Sequence, residues 1–198
     1  MEEAARCLRG GGLVAFPTDT LYGLAAVASN DAAVERLFAA KRRSRDRPLP
    51  ILIASVADID AVATHVSTAA RRLMEAFWPG GLTLVLPRRP GFRSLALAGG
   101  ETVALRVPAH PVALELLRRV GEPLTGTSAN LSGRPGPRSA EEVRRHLGDR
   151  VDLVVDAGPS PGGVESTVVD CTVDPPRVLR EGAVPAERVA AALSAGGL

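Results

Sequence analysis

Short apolar runs and stretches of helical period take turns along this chain, and that alternation limits the folds open to it more than any other feature. Residues 13–16, 51–54, 82–86 and 103–107 are apolar runs of strand length. Between them, apolar side chains recur at helical spacing: Val34, Leu37 and Phe38 after Asp31, then Leu73 and Phe77 after Ser67, then a stretch beginning at Pro111. Strands separated by helices predict an α/β fold with helices packed on a sheet. The later strand candidates, 124–127, 153–155, 167–170 and 177–179, include pairs too close for a helical crossover, so part of the sheet is expected to be antiparallel. The expectation is one twisted, mixed parallel and antiparallel sheet in a single domain over residues 1–198.

Local signals set the helix ends. Residues 2–9 predict an opening helix, and Asp31 is placed to cap the next one. Ser67 opens another, which Pro79 and two glycines stop. Ser139 with Glu142 has the spacing of a capping box, and Pro185 precedes a final alanine-rich helix.

Several function classes fall away. The net charge of +2 gives no global field toward nucleic acid or membrane. No apolar run approaches the ~18 residues of a membrane span, and the first nine residues lack an apolar signal-peptide core. Cys7 and Cys171 form neither a metal-ligand pair nor a disulfide framework. A cytoplasmic setting is therefore expected. Gly10, Gly12 and Ala15 match the spacing of a dinucleotide fingerprint but precede a strand, where the motif must follow one. The sole lysine, Lys41, lacks P-loop context, and Asn130 stands where a nucleophile elbow after Gly126 and Ser128 needs glycine. His65, His110 and His146 are scattered.

Four polar clusters remain, each at the end of a candidate element. Residues 17–24 gather two threonines, Asp19 and Tyr22 directly after a strand; this suits a capped turn and equally a binding loop. Residues 41–48 place five cations within seven positions, which fits a solvated helix end or a polyphosphate clamp. Residues 127–133 offer small hydroxyls and an amide, and 162–167 offer two glycines before a Ser-Thr pair, with Arg180 beyond. Both suit plain turns as well as anion-binding backbone. Together the four supply hydroxyls, amides, glycine loops and arginines without a histidine base. That inventory matches a phosphate-bearing substrate and a reaction driven by positioning and electrostatics.

Seven segments in order carry a resemblance: FPTDTLYGL at 16–24, Lys41-Arg42-Arg43, PGGLTLVL at 79–86, TVALRVPAHP at 102–111, TSANLSG at 127–133, ESTVVD at 165–170 and VLREG at 178–182. They cover nearly the whole chain, which resembles the YrdC-like threonylcarbamoyl-AMP synthases in their short, single-domain form. The resemblance implies a mixed α/β domain around a concave basic cavity. It implies L-threonine, bicarbonate or CO2, and ATP with Mg2+ as inputs, and threonylcarbamoyl-adenylate and pyrophosphate as outputs. A downstream tRNA-modifying threonylcarbamoyl transferase complex would take the product, with tRNA or double-stranded RNA contact as a further partner. The competing reading is a double-stranded RNA or nucleotide-binding module without synthase activity.

By the same resemblance, Thr20, Arg106 and Ser166 contact threonine. Lys41, Arg43, Arg47, Thr102, Ser128, Asn130, Gly136 and Arg180 contact the nucleotide, with Lys41 and Arg43 catalytic. Leu52 stands where many relatives carry histidine. Strand alternation adds an independent point: Thr102, Ala104 and Arg106 share a face opposite Val103, Leu105 and Val107. An arginine turned inward from such a strand must meet an anion, either a carboxylate of the chain or the substrate's.

Overall fold

The computed structural model describes residues 1–195. In chain order its elements are α1 (Glu2–Arg9), β1 (Val14–Pro17), β2 (Tyr22–Ala25), α2 (Asp31–Lys41), β3 (Ile51–Leu52), α3 (Thr68–Phe77), β4 (Leu82–Pro87), β5 (Thr102–Arg106), α4 (Pro111–Val120), β6 (Leu124–Thr125), β7 (Thr127–Ser128), α5 (Ala140–Leu147), β8 (Leu153–Val154), β9 (Thr167–Asp170), β10 (Arg177–Arg180) and α6 (Ala186–Ser194). The mixed α/β class is as expected. The strands, however, lie in two sheets and not one: a four-stranded sheet ordered β7-β2-β1-β8 and a six-stranded sheet ordered β10-β9-β4-β5-β3-β6. Each sheet mixes parallel and antiparallel neighbours.

In the four-stranded sheet β7 reaches β1 through β2, which the sequence hides inside a polar cluster. Tyr22–Ala25 is fully buried and pairs antiparallel with β1, Phe16 opposite Gly23. Phe16 and Val14 face α1 and α4, while Ala15 faces the larger core, so β1 is covered on both sides. That double burial is why it reads as an unbroken apolar run.

The two sheets are joined where one extended segment changes partners. β6 pairs with β3, and β7 pairs with β2, with Gly126 alone between them. A Cβ on Gly126 would lie 2.6 Å from Leu52 Cγ, so only glycine lets the backbone pass so close to that side chain. The buried Thr125 ties the seam from the other side: its N–H donates to the Ala26 carbonyl at 2.9 Å, and its hydroxyl oxygen accepts the Ala26 N–H at 2.9 Å.

Two caps differ from expectation. Asn30 is the N-cap of α2, its side-chain oxygen accepting the Ala33 N–H at 3.1 Å, and Asp31 instead accepts the distant Leu95 N–H at 2.9 Å. At α5, Ser139 accepts the Glu142 N–H, but the Glu142 carboxylate turns to the Arg138 N–H at 2.6 Å, so only half of the capping box forms.

Thr167, fully buried in β9, holds the chain between β10 and α6. Its hydroxyl donates to the Val184 carbonyl at 2.5 Å and accepts the N–H groups of Gly182 and Val184 at 2.8 and 3.0 Å. Thr167→Val keeps the volume and leaves three buried backbone groups unpaired. Chemical denaturation should show a loss of about 1–3 kcal/mol with an unchanged m-value.

Candidate functional site: a two-sheet cavity

The strand ends of both sheets and three loops enclose a cavity of about 370 Å3. Thr18, Thr20, Tyr22 and Gly23 line it from β2 and the turn before it; Lys41, Arg43 and Arg47 from the end of α2 onward; Leu52 and Arg106 from the six-stranded sheet; Ser128, Asn130, Ser132 and Arg134 from the segment after Gly126; and Glu165, Ser166 and Arg180 from the loop before β9 and the end of β10. Of the residues singled out in the sequence, Thr20, Lys41, Arg43, Arg47, Arg106, Ser128, Asn130, Ser166 and Arg180 thus converge.

Thr102 and Gly136 do not line the cavity. Thr102 shares a strand face with Arg106, as alternation requires, but it is exposed at the other end of β5, opposite Pro87. Four residues of strand put it roughly 13 Å away. Gly136 packs against Leu21, a lining residue, where a Cβ would come within 2.4 Å of that side chain.

At the base, Arg106 is buried and held from three directions. Its Nε donates to the Gly80 carbonyl at 2.8 Å, Nη1 to Thr20 Oγ1 at 3.0 Å, and Nη2 to Asp19 Oδ1 at 2.7 Å. A guanidinium has five N–H donors, so two remain for the cavity. Burial pulls the Arg106 pKa down and Asp19 opposes that pull; the group stays cationic. The inward arginine therefore meets a carboxylate of its own chain and still keeps donors for a second anion.

The hydroxyl protons beside it have a fixed sense. Thr18 Oγ1 donates to the Leu21 carbonyl at 2.7 Å, so its 3.0 Å contact with Thr20 is made by the Thr20 hydroxyl donating. Thr20 thus presents acceptor capacity beside the two free donors of Arg106. Ser166 adds a hydroxyl, hydrogen-bonded to the buried Thr83 at 2.8 Å. Leu52, directly opposite Arg106 in the parallel β3–β5 pair, supplies an apolar wall.

At the mouth the basic run divides. Arg42 adopts the left-handed conformation that ends α2, and Arg45 pairs with Glu35 on the surface. Arg43 lines the cavity; its Nε and Nη2 donate to the carbonyls of Arg47 and Pro48 at 3.1 and 3.0 Å. Burial lowers its pKa, with Arg47 adding to the effect. Arg180 pairs with Glu165 and donates to the Ser166 carbonyl at 2.8 Å. The cluster is therefore partly a helix end and partly a cavity wall, with alternate residues taking the two roles.

Lys41 behaves differently. It is 2% exposed, and its ammonium donates to the backbone carbonyls of Ser128 and Asn130, the latter at 2.7 Å. The Ser132 N–H returns to the Lys41 carbonyl at 2.9 Å. The lysine thus fixes the shape of the 128–132 loop from within. In that loop Asn130 Nδ2 donates to the carbonyls of Leu131 and Arg134, while Asn130 Oδ1 and Ser132 Oγ are buried without a partner. Unpaired buried oxygens beside a cavity are where a ligand's donors would be rewarded.

Asp19 and Glu165 escaped the sequence reading as individuals, although both sit inside the motifs. Glu165 is the one carboxylate among the lining residues, and among the described residues no group of three or more His, Cys, Asp or Glu gathers for a metal ion. A single carboxylate suits a hard divalent cation carried in on a nucleotide's phosphates, a mode in which protein supplies one ligand or two.

A family model described as telomere recombination, Sua5/YciO/YrdC, matches residues 6–182. A threonylcarbamoyl-AMP synthase of Bacillus subtilis is 45% identical over 96% of this chain and 56% of its own length. A putative threonylcarbamoyl-AMP synthase of Mycobacterium tuberculosis is 47% identical over 96% of this chain and 87% of its own. The crystal structure of Pyrococcus abyssi Sua5 complexed with L-threonine superposes with a TM-score of 0.94 at 42% identity, covering 98% of this chain and 57% of that one. The chain therefore spans little more than half the length of the Bacillus and Pyrococcus proteins.

Burying Lys41 pulls its pKa from 10.5 to about 7, chiefly by desolvation and secondarily through Arg43, with Glu165 opposing. Between those values the unfolded chain binds one more proton than the folded one, so stability rises with pH across that window. The slope attributable to Lys41 is up to about 1.4 kcal/mol per pH unit. Comparing denaturation curves of wild type and Lys41→Met from pH 7 to 9, below the range where the buried Cys171 thiol opposes the trend, should show wild type gaining stability relative to the variant as pH rises.

Proposed function

As this chain belongs to the Sua5/YciO/YrdC family, we propose that it is an L-threonylcarbamoyladenylate synthase, forming an adenylate from L-threonine, bicarbonate or CO2, and ATP. One observation carries the reading: a single cavity joins a buried arginine with two uncommitted donors to a mouth lined with further cations. The base suits an amino acid and the mouth a polyphosphate.

At the base, the two free N–H groups of Arg106 take the threonine carboxylate in the forked manner that guanidinium favours. Thr20, with acceptor capacity facing the cavity, takes an N–H or O–H of the amino acid, and Ser166 its hydroxyl. At the mouth, Arg43 and Arg180 bind the triphosphate, with Arg47 at the rim. The loop that Lys41 holds offers Ser128 and the unpaired Asn130 oxygen to the nucleoside. Lys41 thereby acts through the loop it holds. Glu165 would hold a magnesium ion brought in on the phosphates, which would supply further charge neutralisation.

Threonine's amine adds to CO2, forming the N–C bond of a carbamate and releasing a proton. A carbamate oxygen then bonds to the α-phosphorus as the α–β bridging bond breaks, and pyrophosphate leaves with that electron pair. Such a displacement needs in-line placement and charge neutralisation more than a protein nucleophile. Product transfer to tRNA by a downstream threonylcarbamoyl transferase complex, in the cytoplasm, belongs to the same proposal. No described helix is long and apolar enough to cross a membrane.

The direct test is pyrophosphate release with ATP and magnesium, omitting threonine and bicarbonate in turn. Release should require both. Equal release without threonine would overturn the synthase reading in favour of threonine-independent ATP cleavage, and none at all while double-stranded RNA binds tightly would replace it with the binding-module one. Arg106→Ala should weaken threonine binding by about thirty-fold to several-thousand-fold, the cost of losing a desolvated charge partner. ATP binding measured without threonine should stay close to wild type.

A further inference from the structure

The cavity confronts its ligands with a sorting problem. A triphosphate, a pyrophosphate and an amino-acid carboxylate all seek guanidinium groups, and arginines line both ends. Charge at the two ends is nonetheless arranged differently. At the mouth, Arg43 and Arg47 have no salt bridge to a carboxylate among the described residues, and Arg180 shares the half-exposed Glu165. At the base, Arg106 is matched one-to-one by Asp19 at 2.7 Å, with the two side chains 8% and 18% exposed.

Asp19 is held where it stands. The oxygen that accepts from Arg106 also accepts the Ala109 N–H at 2.9 Å. Gly162 packs so closely on the Asp19 backbone that a Cβ there would come within 2.6 Å of the Asp19 carbonyl. Arg106 lines the cavity and Asp19, its ion-pair partner, does not. With Gly80 and Thr20 it fixes the plane of Arg106 through three hydrogen bonds.

Resting on the functional reading above, we infer that Asp19 is a specificity-determining positioning residue that sorts anions within the cavity. By neutralising Arg106, it makes the base a site for a zwitterion. Such a ligand offers one carboxylate to the fork and carries no net charge for the neutral Arg106–Asp19 pair to repel. A polyphosphate with several negative charges meets Asp19 as a repulsive charge at the same place and settles at the mouth, where Arg43, Arg47 and Arg180 outnumber the single carboxylate of Glu165. Specificity here comes from a charge set against the wrong ligand as much as from contacts with the right one.

Asp19→Asn keeps an oxygen to accept from Arg106 and Ala109 while removing the charge. Threonine binding is measured by calorimetry with inorganic pyrophosphate as competitor. In the wild type, pyrophosphate should displace threonine poorly. In Asp19→Asn it should compete with threonine on the order of tenfold to a hundredfold more strongly, the effect of one nearby unit charge at intermediate dielectric. Threonine's own affinity should change far less. Asp19→Glu, which restores the charge, should restore the exclusion. Unchanged pyrophosphate competition in a variant that binds threonine normally overturns the inference. So does loss of threonine binding with early melting in both variants, which would make Asp19 a structural residue. Failure of the wild type to bind threonine would instead remove the functional reading on which this inference stands.

Discussion

The chain changes sheets across one residue, and the architecture of the site depends on that crossing. Leu124 and Thr125 pair in the six-stranded sheet, Thr127 and Ser128 in the four-stranded one, and Gly126 alone separates them. The crossing is held by the Gly126 N–H on the Pro50 carbonyl at 2.7 Å and by Thr125 bonded twice to Ala26. Leu52 fills the space that a side chain at 126 would take. Strand ends from both sheets are thereby brought to one opening. Neither sheet alone could supply an arginine floor and a hydroxyl-rich wall.

Within that opening, polar groups are graded. At the base Asp19, Thr18, Thr20, Thr83 and Ser166 are all hydrogen-bonded, and two Arg106 donors stay open. The 128–132 loop is satisfied through its backbone, by Lys41, but leaves two side-chain oxygens unpaired. The mouth carries guanidinium groups that spend their donors on backbone carbonyls and remain available to a diffusing anion. Preorganisation is greatest where the smaller ligand would lie, as expected if ordering cost is to be avoided at the reacting end.

Legibility in the sequence followed the range of the forces involved. The helix Pro111–Val120 was readable at its start, because a proline at the first helical position is a local signal. The cap of α2 was misplaced by one residue, since Asn30 and Asp31 are both competent and a distant N–H, that of Leu95, decides between them. Strand β2 was missed because its burial comes from both sheets and both cores, not from any pattern in Tyr22–Ala25. The motifs brought most site residues together, yet motif membership alone placed Thr102 at the cavity when strand rise carries it away from Arg106. Asp19 was visible as a letter in a cluster; its pairing with Arg106, 87 positions away, was not.

Lys41 is the only lysine of the chain, and its amine is enclosed. The protein surface therefore presents no lysine ε-amine. Acetyl donors, reducing sugars and amine-directed cross-linkers, which alter the charge of most proteins through their surface lysines, find no such target on the described exterior. The outward positive charge is carried by guanidinium groups, which these reactions leave intact, so it keeps its value through chemical histories that would progressively discharge a lysine-rich homologue.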